Sequence, residues 1–238
     1  MRINVFISAS GYCSRRAAER LVAAGEVKIN GVLAEKNSMV DHQDIVEING
    51  EVIQLSNEKH YIILNKPVGI TCTGLHTVEG NIIDFVNYPK RLFPVGRLDK
   101  DSEGLIILTN DGPIAHKILH SENGHEKEYI VTVDKPFDHE FLVGMSDGVP
   151  IGDDITKKCE VTRLDECTFR IVLTQGLNRQ IRKMAKHFGY KVLKLKRIRI
   201  MNIHLENLEV GKWRSLSDLE LKMLIDQLKE EEMNENLN

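Results

Sequence analysis

Hydrophobic positions in this chain repeat with two periods, and the switches between them mark its elements. Near the start, Ile3, Val5, Phe6 and Ile7 predict a short amphipathic helix ending at Gly11. Ser14 then offers a cap to a second helix, Arg15 to Ala24, which Gly25 stops. Two Asn-Gly pairs follow, Asn30-Gly31 and Asn49-Gly50. Each lies between short alternating runs, Val27-Lys28-Ile29 with Val32-Leu33 and Val46-Glu47-Ile48 with Val52-Ile53. Asn-Gly suits the tight turn whose twist matches that of paired strands, so both predict hairpins. Residues 1–56 read as one compact module, and the polar stretch 57–60 as a linker.

Beyond the linker the elements lengthen. Tyr61 to Leu64 predicts a strand that Pro67 and Gly69 stop. Asn81 to Val86 fits one helical turn, and Leu92 to Val95 leads into a charged loop. Leu105 to Leu108 is an unbroken apolar run of strand length, the mark of a buried strand. Pro113 to Leu119 reads as a helix after the Asn110-Asp111-Gly112 turn. Glu128 to Val133 alternates, which sets Tyr129, Val131 and Val133 on one face. Asp138 can cap a helix from His139 to Met145. Cys159 to Leu164 and Thr168 to Thr174 read as an antiparallel pair.

In Asn178 to Phe188 the helical stripe is Ile181, Met184, Ala185 and Phe188, with Gly189 as the stop. Arg179, Arg182, Lys183 and Lys186 lie off that stripe. The next strand, Lys191 to Ile200, alternates Lys194 and Lys196 with Leu193 and Leu195. Ser217-Asp218-Leu219-Glu220 is a capping box that opens a helix to about Lys229. Residues 230–238 read as an acidic, disordered tail. Repeated strand pairs with intervening helices predict an α+β fold, with 61–229 as the larger domain.

Composition changes this picture little. The 238 residues are 42% hydrophobic, enough to pack one large core or two smaller ones. Cys13, Cys72, Cys159 and Cys167 show neither a C-x-x-C pair nor metal-ligand spacing, so reduced thiols and no metal are expected. With no signal-peptide pattern and no apolar run of membrane-spanning length, the expectation is a cytoplasmic protein with no membrane partner. No long heptad repeat or large apolar helix face points beyond a monomer.

Charge distribution says more than its sum. Net charge is −3, yet Gln175 to Ile200 holds nine Lys or Arg and no Asp or Glu. Glu230, Glu231, Glu232 and Glu235 offset that excess. A footprint on nucleic acid depends on local charge.

The densest candidate chemistry is Pro94 to Thr109, where a charged loop bracketed by Gly96 and Gly104 feeds the apolar strand. Arg97, Asp99, Lys100, Asp101 and Glu103 crowd it. Three readings stand on spacing alone. A calcium loop fits Asp99, Asp101, Glu103 and Gly104, but its twelfth position falls on Asn110 and its flanks are strand-like. A solvated charged turn is the second. The third is a carboxylic acid kept ionised by neighbouring cations.

Gly96-Arg97-Leu98-Asp99-Lys100-Asp101-Ser102-Glu103-Gly104-Leu105 closely resembles the G-R-L-D-x-D-[ST]-x-G-L signature of bacterial ribosomal RNA pseudouridine synthases of the RsuA family. Asn65-Lys66-Pro67-Val68-Gly69 resembles their Lys-Pro-x-Gly element, which shapes the cleft. His125-Glu126-Lys127-Glu128-Tyr129 and Gly176-Leu177-Asn178-Arg179-Gln180-Ile181-Arg182-Lys183-Met184 resemble two further motifs. Residues 2–31 resemble the S-four-type RNA-binding module first recognised in a small-subunit ribosomal protein.

The resemblance implies a mixed, mainly antiparallel sheet with flanking helices and a central cleft. It implies that Asp99 is catalytic, that Tyr129 packs against the target base and that Arg182 pairs with the catalytic carboxylate. Arg97 would fill the gap left when the base leaves its helix, and Leu195 would wall the pocket. Arg179, Lys183 and Lys186 would meet phosphates, and Arg15, Arg16 and Arg20 would dock structured RNA. The reaction breaks a C–N glycosidic bond, turns the uracil and rejoins it through carbon, with no cofactor. Leu177, with Gln175 before it, is most like the RluF-type branch that modifies 23S ribosomal RNA, so 23S is the expected partner. Alternatives are a synthase acting on 16S rRNA or tRNA and a non-enzymatic ribosome-assembly factor. A glycoside hydrolase fits poorly, because adjacent carboxylates on one loop do not flank a sugar.

Overall fold

The structure, a computed structural model, describes residues 1–56, 58–119 and 124–235. It divides into two compact units. The first holds Met1–His60 with Tyr88–Leu92 and Asn110–Gly112; the second holds the remainder.

In the first unit, helix α1 (Ile3–Ala9) packs beside α2 (Arg15–Ala23). Ser14 accepts a hydrogen bond from the Ala17 N–H, as its capping chemistry suggests. Strands β1 (Val27–Ile29), β2 (Val32–Leu33), β3 (Val46–Ile48) and β4 (Glu51–Ile53) form an antiparallel sheet in the order β2-β1-β3-β4. Both Asn-Gly turns have the left-handed backbone that this pair tolerates, with φ of 51° and 81° at Asn30-Gly31 and 53° and 84° at Asn49-Gly50. Ile3, Phe6, Ile7, Ala18, Val22, Val27, Val46 and Ile48 make the core. His60, read as linker, is tied in: its N–H donates to Asn110 Oδ1 at 2.9 Å, and Tyr88 stacks edge-on against its ring. Residue 57 of that linker lies outside the described residues.

The second unit is built on one large sheet. Its chain order is β5 (Tyr61–Lys66), α3 (Ile82–Val86), β6 (Phe93–Pro94), β7 (Glu103–Thr109), α4 (Gly112–Leu119) and β8 (Lys127–Val133). There follow α5 (His139–Ser146), β9 (Pro150–Ile151), β10 (Asp154–Ile155), β11 (Glu160–Arg163) and β12 (Thr168–Leu173). Last come α6 (Gln180–His187), β13 (Val192–Ile200), β14 (Ile203–His204), β15 (Trp213–Ser215) and α7 (Asp218–Glu235). The sheet order is β11-β12-β8-β13-β7-β5-β15, with β14 on β13 and β6 on β7. Among the named strands of the described residues, β13 and β7 alone pair in parallel, so the mixed, mainly antiparallel sheet expected of the α+β fold is present.

Strand β7 lies near the middle of the sheet, and Leu105 to Leu108 are completely buried. That burial explains a run with no polar alternation. Leu105 and Ile107 meet Ile118, Ile200, Leu224 and Leu228 in one core. A second cluster is aromatic: Phe141 lies 5.0 to 5.8 Å, ring to ring, from Phe137, Phe169 and Phe188, and 4.4 Å from Tyr190. Gly144 on α5 is there for space, because a Cβ would strike the Phe188 ring.

Four expectations need correction. Strand β5 continues to Lys66, two residues past Leu64, because the Lys66 side chain is itself buried. Helix α6 starts at Gln180, since Arg179 takes the left-handed conformation (φ 51°). The alternation of β13 breaks at a bulge between Val192 and Lys194, which turns Leu193 out to 55% exposure while Leu195 stays buried. The capping box forms, with Ser217 N donating to Glu220 at 2.8 Å, but α7 runs through Glu230 to Glu235 rather than ending near Lys229. The final residues 236–238 of the expected tail lie outside the described residues.

Candidate active site

The loop before β7 is held from several sides. Gly104 (φ 108°) makes the closest approach: a Cβ there would overlap the Arg197 backbone. This glycine therefore allows β7 to pair with β13, through Glu103 with Lys196 and Gly104 with Arg197. The Ser102 N–H closes a turn onto Asp99 O at 3.0 Å, and the Gly69 N–H donates to Lys100 O at 2.7 Å. The Lys-Pro-x-Gly stretch thus grips the loop by its backbone. Lys66 is fully buried and donates to Pro67 O and Ile70 O, each at 2.9 Å. Burial pulls its amine below the ordinary lysine range, with Asp101 and Asp99 opposing.

Two arginines from the start of α6 meet this loop. Arg179 donates bidentately to Asp101 at 3.0 and 2.8 Å, and its Nη1 lies 3.6 Å from Asp99 Oδ2. Arg182 donates to Asp101 O at 2.8 Å, to Ser102 Oγ at 3.3 Å and to Val192 O at 3.0 Å. Its Nε is 3.4 Å from the Asp101 carboxylate. The cation within ion-pair distance of Asp99 is therefore Arg179, whereas Arg182 was expected there; Arg182 shapes the loop through its backbone and Asp101. The Arg179 hydrogen bonds hold Asp101 below the usual carboxylate range.

These groups line a cavity of about 780 Å³, in the range that takes small organic ligands. Arg97, Asp99, Tyr129, Arg182 and Leu195 all face it, and so do Lys127, Gln180 and Arg197. Arg97 is exposed, whereas Tyr129 and Leu195 are 9% and 7% exposed. Lys183 and Lys186 are exposed on α6, away from its buried stripe. In the first unit Arg15, Arg16 and Arg20 are exposed on α2, and Arg16 and Arg20 rim a groove with Lys36.

Three cavity groups were given no role by the motifs, although Lys127 and Gln180 lie within them. Arg197 is 3% exposed; its Nε donates to Leu105 O at 2.7 Å and its Nη2 has no partner among the described residues. Gln180 is 4% exposed; its oxygen accepts from the Leu177 N–H, and its amide nitrogen is unpartnered among the described residues. Lys127 is half-buried, and burial, followed by the Arg197 guanidinium, lowers its amine to about 8. A period of two was the available signal: Lys127 stands two residues before Tyr129, and Arg197 two after Leu195. Among the described residues, no group of three or more His, Cys, Asp or Glu is arranged to hold a metal ion. Nor is any helix long and apolar enough to cross a membrane.

The known proteins that this chain resembles agree on one family. The family model for RNA pseudouridylate synthase matches residues 60–187, and that for the S4 domain matches residues 1–46. The Dual-specificity RNA pseudouridine synthase RluF of Escherichia coli K12 is 52% identical over 223 residues, covering 93% of this chain and 77% of the relative. The Ribosomal large subunit pseudouridine synthase B of Bacillus subtilis is 33% identical over 232 residues, covering 94% and 95%. A solved pseudouridylate synthase superposes with a TM-score of 0.69 at 29% identity, over 94% of this chain and 99% of that one. The chain belongs to the RNA pseudouridine synthase family and carries an S4 RNA-binding module.

Proposed function

We propose that the protein isomerises a specific uridine of 23S ribosomal RNA to pseudouridine, acting as a monomer in the cytoplasm. The observation that carries this reading is the Asp99 carboxylate, 3.6 Å from the Arg179 guanidinium and open to a cavity shared with Tyr129. The Arg179 guanidinium beside it holds the Asp99 carboxylate in orientation toward the cavity. It promotes cleavage of the glycosidic bond.

The target base must first leave its stack, at a cost of a few kcal/mol. Arg97, exposed at the cavity edge, fills the gap in the RNA. Tyr129 and Leu195 form the apolar walls that receive the base. Arg182 holds the loop that carries Asp99. Lys183 and Lys186 attract phosphates, and Arg15, Arg16 and Arg20 dock a structured segment of the same RNA. The relatives at 52–53% identity are named dual-specificity enzymes, so we expect a second RNA target here too.

Pseudouridine mapping of total RNA tests this. Cells lacking the gene should lose one 23S site, and the restored gene should return it. An unchanged 23S map after deletion contradicts the assignment of substrate.

A further inference from the structure

Lys127 has the setting of a base. It shares a face of β8 with Tyr129, and both line the cavity that Asp99 enters. Across the ladder, Arg197 pairs with Tyr129 and Ile200 with Lys127. Leu173 of β12 stands opposite Lys127 on the other side. No carboxylate lies within ion-pair distance of the Lys127 amine among the described residues; its one hydrogen bond goes to His125 O at 3.0 Å. The charge that acts on it is the like charge of Arg197. A half-buried amine with an apolar residue on either side and a cation beside it is destabilised when protonated. Its value of about 8 puts it near neutral pH, where a general base is most effective.

Pseudouridine formation needs such a group at a late step. Once C5 has bonded to the ribose carbon, it carries both that bond and its original hydrogen. The C5–H electron pair must return to the ring. We propose that Lys127 Nζ is the base that takes the C5 proton; this rests on the pseudouridine-forming reading given above. The freed pair rebuilds the C5–C6 double bond, and the C6–N1 π electrons move onto N1, which takes a proton from water. The Lys127 ammonium returns its proton to solvent, so the product is an isomer with no net proton change. Asp99, from the loop before β7, acts at the glycosidic bond, and Lys127, from β8, acts at C5.

The test compares two RNAs in single turnover, one with [5-³H]uridine at the target and one with 5-fluorouridine. Fluorine cannot leave C5 as a cation, so the second substrate stops at the rejoined base and never needs the late step. Lys127→Met should release tritium at least about 100-fold more slowly than wild type, while converting 5-fluorouridine at the wild-type rate. Lys127→Arg keeps the charge and a donor for His125 O yet supplies no base at neutral pH, so it should show the same split. Equal slowing of both substrates would make Lys127 a structural tether and overturn the proposal. Wild-type tritium release from either variant also overturns it. Wild-type protein inert on both RNAs would instead sink the parent reading, and this inference with it.

Discussion

Neighbouring residues of β8 point to two faces of the sheet with opposite electrostatics. On one face Glu128 accepts from Arg170 Nε at 2.6 Å and from Arg199 Nε at 2.7 Å. Those arginines continue to Glu160 and Glu126, so every charge has a partner. On the other face Lys127 and Arg197 have no carboxylate partner among the described residues, and Lys66 gives its protons to carbonyls. Paired ions fix strand register and leave nothing free for a ligand. Unpaired, desolvated cations hold the protein below its best stability and stay available to a substrate. The face that lines the cavity is the one left electrostatically incomplete.

Substitutions can break this division of labour. Glu128→Ala should be the most damaging to folding, at about 3 kcal/mol, because it removes the carboxylate that Arg170 and Arg199 share and with it two charge-assisted hydrogen bonds, leaving each guanidinium with Glu160 or Glu126 alone. Chemical denaturation measures that loss, and turnover at low temperature should remain near wild type. A loss of turnover with no loss of stability would erase the contrast between the faces.

A smaller effect concerns pH. Burial alone would raise Glu128, but the Arg199 and Arg170 hydrogen bonds outweigh it and hold its carboxyl below the ordinary range. Its contribution is present above the unfolded value and is lost as pH falls through the folded one. Lys127 is a cost at neutral pH instead, and that cost is relieved as its proton is lost. With a folded value near 8 and an unfolded one near 10.5, the unfolded chain binds more protons between them, so stability rises over that window. The gap between the two values sets a ceiling of about 3 kcal/mol, which partial exposure of the amine cuts to about 1–2 kcal/mol. Lys127→Met should flatten it and be neutral or slightly stabilising at pH 7. An unchanged alkaline rise in that variant would contradict the assignment.

Much of this was legible in the residues. Ser14, the two Asn-Gly pairs, Asp138 and the Ser217–Glu220 box are local devices whose chemistry acts within a few residues, and each forms as expected. The Asp99 loop was legible because Gly96, Gly104 and its charges form one contiguous signature. What stayed hidden depends on partners distant in sequence. Which arginine meets Asp99 depends on how two segments far apart in the chain pack together. The burial of Arg197 requires the Leu105 carbonyl from a strand far away in the chain, and composition gives such cations to the surface. The bulge at Leu193 reverses an alternation that the sequence alone presents as regular.

Asp99 is the residue on which the proposed chemistry depends. The most direct measurement is single-turnover conversion of the target uridine by purified Asp99→Asn, with RNA affinity measured on the same preparation. We expect conversion to fall by about 10⁴-fold, the upper end for a positioned acid–base group, while affinity stays within about threefold, since phosphate contacts carry most of it. Conversion at the wild-type rate by a folded Asp99→Asn protein would show that the chemistry resides elsewhere.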